Sequence, residues 1–182
     1  MDQRCALEPV VCVPSSLSSR GGLFDLAYAC AERGERVSYV CPEPTADEAQ
    51  VLFAHERRDP GVLQQIQMSY IPSCAALQCY LSCVQLLAEP PDILIVAGYF
   101  EEAGAHSVAH AQWLNTLAAA SDAARFLRKS RDNFCIALGA DGAVCQGNAS
   151  PTARMFARHA KLAVLGAGGT LVTTHRTRSY AY

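Results

Sequence analysis

No Cys-x-x-Cys pair occurs in this 182-residue chain, although it holds nine cysteines, at positions 5, 12, 30, 41, 74, 79, 83, 135 and 145. An odd set, partly inside apolar runs, suits reduced, buried thiols in a cytosolic or nuclear protein better than a secreted disulfide framework. Cys79 and Cys83, four apart, lack a second ligand pair at a spacing that would complete a zinc site. No apolar run approaches the ~18 residues that a membrane span needs, and no basic start leads into an apolar stretch. The sequence thus predicts an intracellular protein that neither crosses a membrane nor is exported. At 51% apolar residues, the chain can bury one sizeable core, and a single domain over residues 1–182 is expected.

Acidic residues are scarce in the C-terminal part. Residues 1–110 carry six Lys/Arg against fourteen Asp/Glu, whereas residues 111–182 carry nine against three. The net charge of −2 therefore hides a basic region. Its cations form three groups: Arg125, Arg128, Lys129 and Arg131; Arg154, Arg158 and Lys161; and Arg176 and Arg178 beside His175. They are candidate contacts to a polyanion such as nucleic acid. Arg128 to Arg131 would serve equally well to neutralise a helix C-terminus, where the helix dipole favours cations.

Short apolar runs alternate with longer amphipathic stretches. Val10 to Val13, Val37 to Cys41, Ile66 to Tyr70, Ile93 to Val96 and Phe134 to Leu138 read as strands. Helices are predicted from about Gly22 to Arg33, ended by Gly34; from a Ser73 cap to about Leu87; and from His106 to Lys129. A further helix is expected from Ser150-Pro151 to about His159, followed by closing strands over 162–165 and 170–174. Such alternation implies an α/β fold, a mostly parallel sheet with helices on both faces. Ligands in such sheets bind outside the carboxyl ends of the strands.

The loop after the first strand is Pro14-Ser15-Ser16-Leu17-Ser18-Ser19-Arg20-Gly21-Gly22. A phosphate-binding P-loop here needs glycines for backbone N–H groups to curl around the phosphates, a lysine for the terminal phosphates and a hydroxyl for magnesium. Instead, Arg20 takes the lysine position, Gly21 the hydroxyl position, and Pro14 and Ser19 replace the upstream glycines. Ser18, Ser19, Arg20 and Gly21 are the remnant of such a loop, and arginine's forked head does not reproduce the point charge of lysine. The strand Ile93 to Val96 should end in an aspartate that orients magnesium, and it ends in Ala97-Gly98. Glu101 and Glu102 follow too late to be more than candidate substitutes, and Gly139-Ala140-Asp141 offers no polar sensor directly after the next strand. Catalytic residues are not expected, and neither is a tightly held nucleotide cofactor; the alternatives are a weak DNA-stimulated ATPase using Arg20 with Glu101 or Glu102, and an α/β domain that binds a small anionic metabolite.

The run Asp59-Pro60-x-x-Leu63-Gln64-x-Ile66-x-x-x-Tyr70-x-Pro72-Ser73, followed by the apolar strand at 93–96 and Glu101-Glu102, carries a resemblance. It resembles the small recombinase paralogue of the Shu complex, the subunit associated with a SWIM-type zinc-finger protein. The likeness spans roughly residues 9–140. It implies a RecA-like P-loop NTPase core with a degenerate Walker A segment at 14–21 and a degenerate Walker B segment at 93–97. It further implies a nuclear factor of homologous-recombination DNA repair that pairs with the SWIM-domain protein, contacts the strand-exchange recombinase and binds single-stranded DNA. Some members of that family keep an intact Walker A and hydrolyse ATP; Ser19, Arg20, Gly21 and Ala97 depart from that pattern. DNA binding does not require those positions, and the basic groups, with Tyr180 and Tyr182 beside Arg176 and Arg178, supply charge and stacking surface.

Other patterns lead to bland readings. His106 and His110 with Glu102 have the spacing of a metal face but sit at an expected helix start. Gly166-Ala167-Gly168-Gly169 precedes a strand rather than opening a helix, so it reads as a hairpin turn and not a dinucleotide loop. Asn148-Ala149-Ser150 has no meaning as a glycosylation acceptor in a reduced compartment. The serine-rich loop lacks the Gly-x-Ser-x-Gly of a nucleophile elbow.

Overall fold

The computed structural model describes residues 10–14, 20–43, 58–99, 107–131, 134–140, 161–166 and 170–173. Strand β1 (Val10–Pro14) leads to helix α1 (Arg20–Glu32) and strand β2 (Val37–Cys41). A short helix α2 (Pro60–Leu63) precedes strand β3 (Ile66–Tyr70), and helix α3 (Cys74–Cys83) runs into a 3-10 turn over Val84–Leu86. Strand β4 (Ile93–Val96), helix α4 (Ser107–Leu127) and strand β5 (Cys135–Ala140) follow, and then strands β6 (Lys161–Gly166) and β7 (Thr170–Thr173).

The sheet order is β3-β2-β4-β5-β1-β6-β7. Every pairing from β3 through β1 to β6 is parallel, and only β7 runs antiparallel, against β6. The expected α/β architecture is therefore present. β5 lies between β1 and β4, so the two segments singled out as nucleotide-loop and metal-strand remnants belong to strands one apart in the sheet.

Strand alternation sends successive side chains to opposite faces, and the core divides accordingly. Tyr39, Ile95 and Ala137 pack under Leu23, Phe24 and Ala27 of α1. Val40, Leu94, Val96 and Ile136 pack against Leu77 and Leu81 of α3 and Leu117, Ala120 and Ala124 of α4. The small residues Ala120, Ala123 and Ala124 are buried in this layer, which lets α4 approach the sheet closely. Strands β2 and β4 are buried along their whole length, as the inner strands of a sheet covered on both faces must be.

Local chemistry explains the element ends. Gly34 has φ +81°, a left-handed conformation that costs glycine little, and its N–H donates to the Ala31 carbonyl at 2.8 Å to close α1. The Ser73 hydroxyl accepts from the Ala76 N–H at 3.2 Å, the expected N-cap of α3. That helix ends at Cys83, short of Leu87, because its last turn tightens and Leu87 N–H reaches the Val84 carbonyl at 3.3 Å. Helix α1 begins at Arg20, two residues before the predicted start. Helix α2 has no counterpart among the predicted elements; Asp59 caps it by accepting from the Gly61 N–H at 2.8 Å, with Pro60 in its first turn. The antiparallel β6–β7 pair fits a hairpin about Gly166, although residues 167–169 lie outside the described residues, as does the helix expected over 151–159. Among the described residues no helix is long and apolar enough to cross a membrane, and Cys30, Cys41, Cys74, Cys79, Cys83 and Cys135 form no disulfide.

Candidate functional site

At the carboxyl edge of the sheet, the ends of β1, β4 and β5 come together. Pro14 pairs with Ala140 and Val96 with Leu138 in the ladder register. Ser18 and Ser19 lie outside the described residues; Arg20 and Gly21 are the first two residues of α1, so the loop remnant leads directly into a helix N-terminus. A cation as the first helical residue works against the helix dipole, which favours anions there.

Ala97 closes β4 at this edge. It is fully buried, its N–H donates to the Val40 carbonyl at 2.9 Å, and it packs in the layer beneath α1 with Leu23, Cys41 and Ala137. Gly98, at φ +80°, then turns the chain away, and the Tyr99 hydroxyl donates to the Ile71 carbonyl at 2.7 Å, tying the exit of β4 to the β3–α3 connection. Ala97, where the sequence reading expects a magnesium-orienting carboxylate, is thus a methyl group sealed into the core. Glu101 and Glu102 lie outside the described residues. Glu43, two residues past β2 and exposed, is an acidic side chain at this same edge that is absent from the candidates read from sequence. Along the chain only its place as the first acid after a strand is visible; that this strand neighbours β4 comes from the sheet order. Among the described residues, no group of three or more His, Cys, Asp or Glu is placed to hold a metal ion.

The first basic group sits at the opposite, amino edge, where α4 ends and β5 begins. Its four members do different work. Arg128 Nε donates to the Phe134 carbonyl at 3.0 Å, and Arg131 Nη1 donates to Asp92 Oδ1. Asp92 in turn accepts from the Arg36 N–H at 2.9 Å and faces Arg36 Nε at 3.6 Å, while Arg36 Nη1 reaches Glu89 at 3.2 Å. Arg128 therefore closes the α4–β5 turn on itself, and Arg131 ties that turn to the starts of β2 and β4. Arg125 and Lys129 are exposed and make no ion pair among the described residues; Lys129 Nζ lies 5.9 Å from the ring centroid of Phe126. Lys161 is the first residue of β6, paired with Val11 near the start of β1, which puts it on the same amino edge. Arg154, Arg158, Arg176 and Arg178 lie outside the described residues, as do His106, Tyr180 and Tyr182; His110 is on the first turn of α4.

A second cluster, of aromatic rings and a cation, stiffens the segment around Asp59-Pro60 without entering either edge. The Arg58 guanidinium lies over Phe24 at 4.6 Å and Tyr28 at 5.5 Å and pairs with Asp25, while the Tyr28 hydroxyl accepts from the Asp59 N–H at 2.8 Å. These contacts clamp the entry to α2 onto α1.

Comparison with known proteins adds no family: no protein-family model matches the chain, and no curated protein matches it significantly.

Proposed function

We propose that the chain is a catalytically degenerate RecA-like recombinase paralogue, a binding and assembly subunit in homologous-recombination DNA repair rather than an ATPase. It binds single-stranded DNA, pairs with a SWIM-type zinc-finger protein, contacts the strand-exchange recombinase and acts in the nucleus. The observation that carries the loss of catalysis is Ala97, buried and methyl-bearing where a carboxylate would have to face the nucleotide. Support for the RecA-like core comes from the sheet order, in which one parallel strand separates the loop-bearing strand from the strand ending in Ala97, and from a helix that starts directly after the loop. The family resemblance of the Asp59 to Ser73 run supplies the recombination role and the partners.

The test is salt-dependent binding of the purified chain, alone and co-expressed with a SWIM-domain partner, to labelled single-stranded oligonucleotide with and without Mg-ATP. Binding that weakens steeply with salt and ignores ATP is the expected result. Strict ATP dependence would overturn the degenerate-loop reading, and no binding in either preparation would overturn the DNA-binding reading.

A further inference from the structure

The structure separates the basic group at 125–131 into two functions that the sequence does not distinguish. Arg128 and Arg131 are consumed by the Phe134 carbonyl and by Asp92. Arg125 and Lys129 are left exposed, and between them Phe126 is 53% exposed although it stands on a helix whose other face, Leu117, Ala120, Ala123, Ala124 and Leu127, is buried. That residue meets solvent rather than the core layer. The Lys129 ammonium lies 5.9 Å from its ring centroid, so a cation stands beside a half-exposed π face.

We infer that Phe126 is a stacking platform for a base of single-stranded nucleic acid, with Arg125 and Lys129 contacting the flanking phosphates, at the amino edge of the sheet. This rests on the DNA-binding reading above and gives it a location. The chemistry is that of sequence-tolerant single-strand binding: a π face for the base and cations for the backbone. The acidic groups facing this edge do not cancel it. Asp92 is engaged by Arg36 and Arg131, Glu89 by Arg36 and Glu35 by Arg33; Asp122, exposed one turn before Phe126, is the remaining acid on α4. The location also separates strand binding from the nucleotide-loop remnant, since the six residues of β5 span roughly 20 Å from one edge to the other at ~3.3 Å each. Strand binding here is therefore independent of nucleotide.

The experiment measures affinity of the full chain, with its partner where needed for solubility, for a labelled oligothymidylate across a salt series. Phe126→Ala is expected to weaken binding about 5- to 100-fold, Phe126→Tyr to restore it, and Phe126→Leu to behave as the alanine variant, because leucine keeps apolar bulk but has no π face. Arg125→Ala with Lys129→Ala should flatten the salt dependence by about 1.4 in slope, ~0.7 for each phosphate that is no longer neutralised. Melting temperatures of all variants should match the parent, since these side chains are exposed. If the parent chain binds and Phe126→Ala binds equally well, the location is wrong while the DNA-binding reading stands. Wild-type affinity in Phe126→Leu would make the residue a simple apolar contact and overturn stacking. If the parent chain itself does not bind, both readings fall.

Discussion

Gly139, near the end of β5, lies against Leu23 of α1 so closely that a Cβ added to it would stand 2.6 Å from Leu23 Cδ1 and 3.4 Å from the Val96 carbonyl oxygen. The seat of α1 on the sheet depends on this missing side chain. Leu23 is itself fully buried, so its side chain has little room to retreat. Gly139→Ala should destabilise the fold by about 1–3 kcal/mol, the usual cost of overpacking a filled core. Thermal or urea unfolding checks this, and unchanged stability would show that α1 shifts freely.

Introducing an acid at position 97 should not create an ATPase. Ala97→Asp places a carboxylate in the layer beneath α1 with Leu23, Cys41 and Ala137 around it. An unpaired buried charge of this kind costs about 3 kcal/mol or more. The expected outcome is a lower melting temperature and no phosphate release from Mg-ATP. Measurable turnover in that variant would mean that the loop around Arg20 still holds a triphosphate.

Asp92 joins three chain segments through Arg36 and Arg131. Because the carboxylate is 36% exposed, solvent screens much of the ion pairing, and the hydrogen bond from the Arg36 N–H matters most. Asp92→Ala should cost about 1–2 kcal/mol, and Asp92→Asn, which keeps an acceptor, should cost less. Single-stranded DNA binding by Asp92→Asn should be retained, with a slightly steeper salt dependence from the released arginines.

The cysteines should divide sharply in reactivity. Burial pushes the thiols of Cys30 and Cys135 up to about 12, whereas Cys79 and Cys83 are exposed on α3. At neutral pH an alkylating reagent should label Cys79 and Cys83 quickly and reach Cys30 and Cys135 only on unfolding. The raised values also set a pH dependence. Their contribution to stability is complete below the ordinary thiol value of 9.0 and is lost as pH rises from there through about 12, because the unfolded chain ionises first. Alkaline unfolding followed in the parent and in Cys135→Ala checks the sign; Cys135→Ala should lose less stability between about pH 9 and 11.

Much of the fold is legible along the chain because local signals and burial agree. Ile93 to Val96 is uniformly apolar and lies on an inner strand; Gly34 follows an amphipathic stretch and closes α1; Ser73 precedes another and caps α3. Helix α2 is not legible because four residues carry no periodicity, and its cap, Asp59 with Pro60, looks like a turn. Glu43 gains interest only once β2 is known to neighbour β4, because along the chain it lies far upstream of that strand.

Residue identity alone settles most of the elements, their alternation and the chemistry absent from positions 19, 20, 21 and 97, since it dictates whether a lysine, a hydroxyl or a carboxylate exists at all. Folding in three dimensions was needed to set the order β3-β2-β4-β5-β1-β6-β7, the placement of the basic turn on the edge opposite the loop remnant, and which cations of that turn are spent. Arg128 and Lys129 are neighbours in sequence, yet one donates to the Phe134 carbonyl while the other stands over Phe126. The reason is that charge is a local property of the chain, whereas a charge's availability depends on what partners the fold brings within a few ångströms of it.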